Sequence, residues 1–96
     1  MIFTDFTQSF NSPTPPAELS EALKSLWWDG KGNWDKAHNI AQEIEDTQEG
    51  AWVHAYLHRK EGDRGNAGYW YRRAGKPFPD ISLEKEWEEI SRELLR

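Results

Sequence analysis

The stretch from Ala51 to Leu57 constrains the fold more than any other part of the chain. Ala51, Trp52, Val53, Ala55, Tyr56 and Leu57 leave a helix through this stretch apolar on nearly every side. A surface helix carries one apolar stripe, whereas a helix that is apolar all round has to be buried. The rest of the chain must therefore supply helices that cover this one on two sides. At 96 residues the chain is one domain. A chain of that size buries roughly 60–65% of the surface exposed when unfolded, enough for one core without staples.

The flanking segments supply those helices. Pro15 and Pro16 suit a first helical turn, where the missing N–H is an orphan anyway. Leu19, Ala22, Leu23, Leu26 and Trp27 follow at helical spacing, which predicts a helix over 14–30 ending at the glycines of DGKG. Asn33 reads as the N-cap of a helix over 33–46, with Trp34, Ala37, Ala41 and Ile44 on its stripe. Thr47 caps the buried helix, over 48–61. Gly62 ends it, and Asp63 or Asn66 opens a helix over 64–74. Gly75, Pro77 and Pro79 force a break. Asp80 or Ser82 then opens a last helix over 81–95, with Leu83, Trp87, Ile90 and Leu94 on one face and Glu88 paired with Arg92 outside. Residues 1–13 show no helical periodicity in Ile2, Phe3, Phe6 and Phe10, and read as an irregular arm laid on the body. The expected architecture is all-α: two antiparallel helical hairpins, a C-terminal amphipathic helix closing one side, and the arm.

Composition narrows the function classes. With no cysteine, neither a disulfide framework nor a thiolate zinc site can form, and the chain suits the cytoplasm. No 18-residue apolar run is present, so no membrane association is expected. The first ten residues, MIFTDFTQSF, have no basic region and include Asp5, unlike a secretory signal. A net charge of −5 argues against general nucleic-acid binding. The charge is uneven: residues 50–79 carry Arg59, Lys60, Arg64, Arg72, Arg73 and Lys76 against Glu61 and Asp63, and the rest is strongly acidic. YWYRR interleaves aromatic and basic groups, yet Trp70 and Tyr71 share the stripe of Ala67 and Ala74, so packing explains them. DGKGN lacks the Gly-Lys-Ser/Thr of a phosphate loop and reads as a turn. Of the six tryptophans, four are expected in the core.

Two resemblances are present. Gly62, Ala67, Tyr71, Ala74 and Pro79 have the spacing of the second half of a tetratricopeptide repeat, and Gly32 and Ala37 repeat its start 30 residues earlier. Residues 50–79 thus resemble a TPR-like helical hairpin. The segments WDKAH, HAYLHRKEGD and NAGYWYRRAG, together spanning about residues 27–75, resemble those of a family of small bacterial and fungal proteins. That resemblance implies a small all-helical protein, and it carries no catalytic assignment and no cofactor.

The histidines are the strongest functional signal. His54 and His58 share a helix face. The zinc-protease signature needs Glu directly after the first histidine, and Ala55 stands there instead. If the helices around residue 48 form a hairpin, His38 faces His58 and Gln42 faces His54. If those around residues 63–64 do so, His58 faces Tyr69 and His54 faces Arg72 or Arg73. A cluster at His38, Gln42, His54, His58, Arg59, Tyr69, Arg72 and Arg73 is therefore expected. It could be a buried polar network, or a groove where His and Arg donate to an anion or peptide carboxylate. It could also hold a metal ion on His38, His54 and His58, or do acid/base chemistry, although no Ser or Cys nucleophile sits recognisably beside it. The expected function is a non-enzymatic binding or interaction module whose partner is a protein, a peptide or a small anion. The alternative is a small-molecule or metal pocket at the three histidines. The chain is expected as a monomer or a weak homodimer through the last helix.

Overall fold

The computed structural model describes all residues, Met1 to Arg96. The chain is all-α, with six α-helices and one short 3-10 turn. They are α1 (Phe3–Gln8) with its 3-10 extension (Ser9–Asn11), α2 (Glu21–Gly30), α3 (Trp34–Glu43), α4 (Gln48–Lys60), α5 (Arg64–Ala74) and α6 (Leu83–Leu94). No helix is long and apolar enough to cross a membrane.

Side-chain caps start five of the helices. Ser20, Asn33, Thr47, Asp63 and Ser82 each accept from the backbone N–H three residues on, at 3.3, 3.1, 3.0, 3.2 and 3.1 Å. The α2–α3 and α4–α5 turns have the same form. Lys31 and Glu61 both lie at φ −80°, ψ −3°, and each precedes a glycine in the left-handed region, Gly32 at φ 86° and Gly62 at φ 90°. Without a Cβ, glycine takes that conformation at little cost. A capping Asn33 or Asp63 then opens the next helix, so the two connections are built by one device used twice.

Helix α4 is central. Its Val53, Tyr56 and Leu57 join Phe6, Leu19, Ala22, Leu23, Leu26, Trp27, Ala37, Ala41 and Ile90 in the main core. Its Ala55 meets Ala67 and Tyr71 of α5 in a smaller cluster. The α3–α4 connection is tight: a Cβ on Gly50 would stand 1.9 Å from the Ile44 carbonyl oxygen. Helix α6 closes the open side. Glu86, only 3% exposed, accepts from Arg59 Nη1 at 2.8 Å and from the Tyr71 hydroxyl at 2.5 Å, and Arg59 Nη2 also donates to the Ile81 carbonyl. Trp87 Nε1 donates to the Leu26 carbonyl at 3.0 Å.

Three expectations need correction. The N-terminal arm is partly helical. Phe3, Phe6 and Phe10 form an i, i+3, i+7 stripe whose rings surround Trp87 at 5.8, 5.7 and 5.9 Å between centroids. The helix expected from residue 14 begins at Glu21, because Ser20 supplies the cap and residues 14–20 form turns and irregular backbone. Only Trp27 is fully buried. The other five tryptophans are half-buried against the two cores, as suits a ring too large to cover completely.

Candidate functional site

Two helices bring the histidines together. His38 lies one turn after Trp34 on α3, and the two rings stack at 4.8 Å, 9° from parallel. Trp34 is itself pinned, its Nε1 donating to the Leu57 carbonyl at 3.0 Å. On α4, His54 and His58 are one turn apart, with centroids 4.6 Å from each other. His38 packs edge-on against both, at 4.9 and 5.1 Å. From α5, Trp70 covers His54 in a stack at 4.4 Å. Three imidazoles thus lie between two indoles, with His54 4% and His58 7% exposed and His38 half-buried.

The ring nitrogens are unevenly satisfied. His54 Nε2 and His38 Nε2 are 3.1 Å apart, so one of them carries the hydrogen of a bond between the rings. His58 Nδ1 is 2.5 Å from Glu61 Oε1. An ionised carboxylate only accepts, so His58 Nδ1 carries the proton and donates. His54 Nδ1 is buried without a hydrogen-bond partner, and Glu45 Oε2, in the α3–α4 turn, is 3.4 Å away.

Burial favours the neutral form of His54 and His38. Loss of water around His54 pushes its pKa down to about 4, helped by the charge that His58 and then His38 would carry. The His38 value is also lowered, first by burial and then by His58, against smaller upward pulls from Glu61, Glu45 and Asp35. At neutral pH both rings therefore offer a lone pair instead of a charge. One ring nitrogen from each of His38, His54 and His58 lies within 4.8 Å of those of the other two. Nitrogens at roughly 2.0–2.1 Å from a common tetrahedral ion sit roughly 3.3 Å apart. The His38–His54 pair is already near that separation, with a His58 nitrogen within 4.8 Å of both. A second ligand set, His58 with Glu61 and Asp63, shares His58, but Asp63 is engaged in capping α5 and both acids are exposed.

The other residues expected here lie elsewhere. Gln42 is exposed on α3 and its side chain bonds to nothing in the cluster, because the bend after Glu43 presents Glu45 to His54 in its place. Arg59 points to the opposite side of α4, to Glu86 and Ile81. Tyr69 is exposed. It sits edge-on to Trp70 at 5.1 Å and accepts from Arg73 Nη1 at 3.0 Å. Arg72 is exposed beside Gly68. Arg73 reaches the Trp70 ring at 5.6 Å and no imidazole. Trp34, Trp70, Glu45 and Glu61 are the members that the hairpin arithmetic misses. Two had a local signal: Trp34 is i,i+4 to His38, and Glu61 is i,i+3 to His58.

A separate open cavity of about 320 Å³ lies where the N-terminal segment, α2, α4 and α6 meet, lined by Phe10, Asp29, Tyr56, Lys60, Leu83 and Trp87 among others. Its buried carboxylate, Asp29, is satisfied by the Tyr56 hydroxyl at 2.8 Å and Lys60 Nζ at 2.9 Å. Burial first, and then Asp29, raise the Tyr56 pKa, so that phenol stays protonated. No unpaired polar group of Asp29 or Tyr56 is left to orient a ligand there. No family model matches this chain, and no curated protein or solved structure matches it.

Proposed function

We propose that this protein is a binding module for one transition-metal ion, held by His38, His54 and His58. The observation that supports it best is the convergence of three imidazoles from α3 and α4, with two Nε2 atoms 3.1 Å apart. The surrounding charge favours a cation over the anion or peptide carboxylate that a His/Arg groove would take. Glu45 and Glu61 stand at 3.4 and 2.5 Å from ring nitrogens, while none of the arginines expected there hydrogen-bonds to an imidazole. An all-imidazole set suits zinc, copper, nickel or cobalt and not magnesium or calcium, which prefer oxygen. In this reading the chain binds and does not catalyse, the paired hairpins are a TPR-like array serving as a rigid frame, and the setting is the cytoplasm. Membership of the small bacterial and fungal family resembled by WDKAH, HAYLHRKEGD and NAGYWYRRAG belongs to the same proposal.

Titration of metal-free protein with cobalt(II) and with zinc tests it. Cobalt should give visible absorption of low-symmetry nitrogen coordination that saturates at one equivalent, and zinc should displace it. His38→Ala and His54→Ala should each abolish the signal while leaving the helical circular dichroism unchanged. No saturable binding by the wild type, or binding by either variant as tight as the wild type's, would sink the proposal.

A further inference from the structure

The carboxylates beside the cluster are not ligands in this geometry, yet they determine which atoms of the rings can be. Each imidazole has two nitrogens, and a metal takes the unprotonated one. In metal sites the other nitrogen commonly donates to a carboxylate or carbonyl, which fixes the tautomer and the ring orientation. Glu61 does this for His58, since the 2.5 Å contact to Nδ1 requires the proton there, so that in the neutral ring Nε2 keeps its lone pair. Glu45 lies beside His54 without the hydrogen bond that Glu61 makes, and a turn of its side chain would let it accept from that ring. That ring's Nδ1 is buried and without a partner, and Glu45 Oε2 is the carboxylate that faces it at 3.4 Å. If His54 holds its proton on Nδ1, its Nε2 accepts. The 3.1 Å bond between Nε2 atoms must then be donated by His38.

We infer, on the basis of the metal reading above, that Glu61 and Glu45 are positioning residues that hold His58 and His54 as Nδ1–H tautomers, and that His38 is the ring that switches on loading. Without metal, His38 carries its proton on Nε2 and donates it to His54. With metal, His38 Nε2 gives its lone pair to the ion. Its former proton leaves to water, and water returns one to Nδ1, so the neutral ring changes tautomer with no net proton release. His38 is suited to this role. It is the most exposed of the three rings, and it comes from α3 while the other two share one turn of α4. Two rings have their tautomers set in advance and the third changes its own on loading.

The assignment separates Glu61 from an ordinary i,i+3 helix pair. A surface pair would have no bearing on tautomers, and its loss would not alter metal affinity. Because Glu61 is exposed at the end of α4 and Glu45 is half-buried in a turn, removing either carboxylate should leave the fold intact.

Nitrogen-15 imidazole NMR on metal-free and zinc-bound protein, with Glu61→Ala, Glu61→Gln and Glu45→Ala, tests the inference. In the metal-free wild type, His58 and His54 should read as Nδ1–H and His38 as Nε2–H, and zinc should convert His38 to Nδ1–H. Glu61→Ala should leave His58 a mixture of tautomers and weaken zinc binding about 10–100-fold. Glu61→Gln, which keeps an acceptor oxygen, should recover part of that loss. Glu45→Ala should act likewise through His54. A wild-type His58 protonated on Nε2, or alanine variants that bind zinc as tightly as wild type, would overturn the inference and leave the metal site standing. Absence of zinc binding by the wild type would overturn the metal site and the switching of His38 with it, while the metal-free spectra would still decide whether the carboxylates set the tautomers.

Discussion

Acidification should destabilise the fold through the histidine cluster. His54 titrates near 6.5 when unfolded and at about 4 when folded, chiefly because burial removes the water that its charged form needs. The unfolded chain therefore binds more protons than the folded one between those two values. The stabilising contribution is fully present above the unfolded value, and it is lost as pH falls toward the folded one. Applying the linkage relation to His54 alone gives a loss of roughly 2 kcal/mol between about pH 7.5 and 5, and roughly 3 kcal/mol in the acid limit. The His38 value is depressed too and adds in the same direction, opposed by Glu61, Glu45 and Asp35. Against a domain stability of about 5–15 kcal/mol, that loss is easy to detect. Urea unfolding followed by tryptophan fluorescence at a series of pH values measures it. Carboxylates elsewhere also respond to acid, so the decisive quantity is the difference in slope between wild type and His54→Phe, which keeps a ring against Trp70 but cannot titrate. The variant should lose the extra slope between about pH 7 and 5. Parallel curves for the two proteins would refute the reasoning.

Other substitutions probe the frame. Glu86→Leu leaves Arg59 and the Tyr71 hydroxyl without their shared partner and should cost about 3–5 kcal/mol in chemical denaturation; a surface-like loss under about 1 kcal/mol would contradict the buried tie. Gly50→Ala gains up to about 1 kcal/mol of helix propensity, but its Cβ meets the Ile44 carbonyl. The strain of about 1–3 kcal/mol should win, and thermal denaturation showing a more stable variant would contradict that packing. Zinc at a hundredfold excess over its dissociation constant should raise wild-type stability by about 2.7 kcal/mol, and a chelator should reverse the gain. His38→Ala should show neither effect in the same denaturation experiment.

Helices α3 to α6 were legible in the sequence because each opens on a side chain that caps it: Asn33, Thr47, Asp63 and Ser82. Helix α1 was not, since Ile2 provides no side-chain cap and the phenylalanine stripe is only two turns long. The start of α2 was misplaced because Pro15 and Pro16 and the cap at Ser20 are competing signals, and the structure follows the cap. The meeting of His38 with His54 and His58 follows from hairpin arithmetic. The same arithmetic set Arg72 or Arg73 opposite His54, where Trp70 stands, because residues on a helix differ by about 100° each and an error of two or three residues changes the face. Arg59 was misassigned for another reason: its partner Glu86 lies on α6, whose docking depends on contacts made by Phe3, Phe6, Phe10 and Trp87 and is not encoded near Arg59.

His58 and Arg59 are chain neighbours that look in different directions, one toward the imidazoles and one toward the carboxylate of α6. The central rod of the molecule is thus keyed at adjacent teeth and has little freedom to spin about its own long axis. The aim of two imidazoles is thereby set by a latch on the far side of the rod, so loosening the latch at Glu86 should blur the site without touching any atom in it.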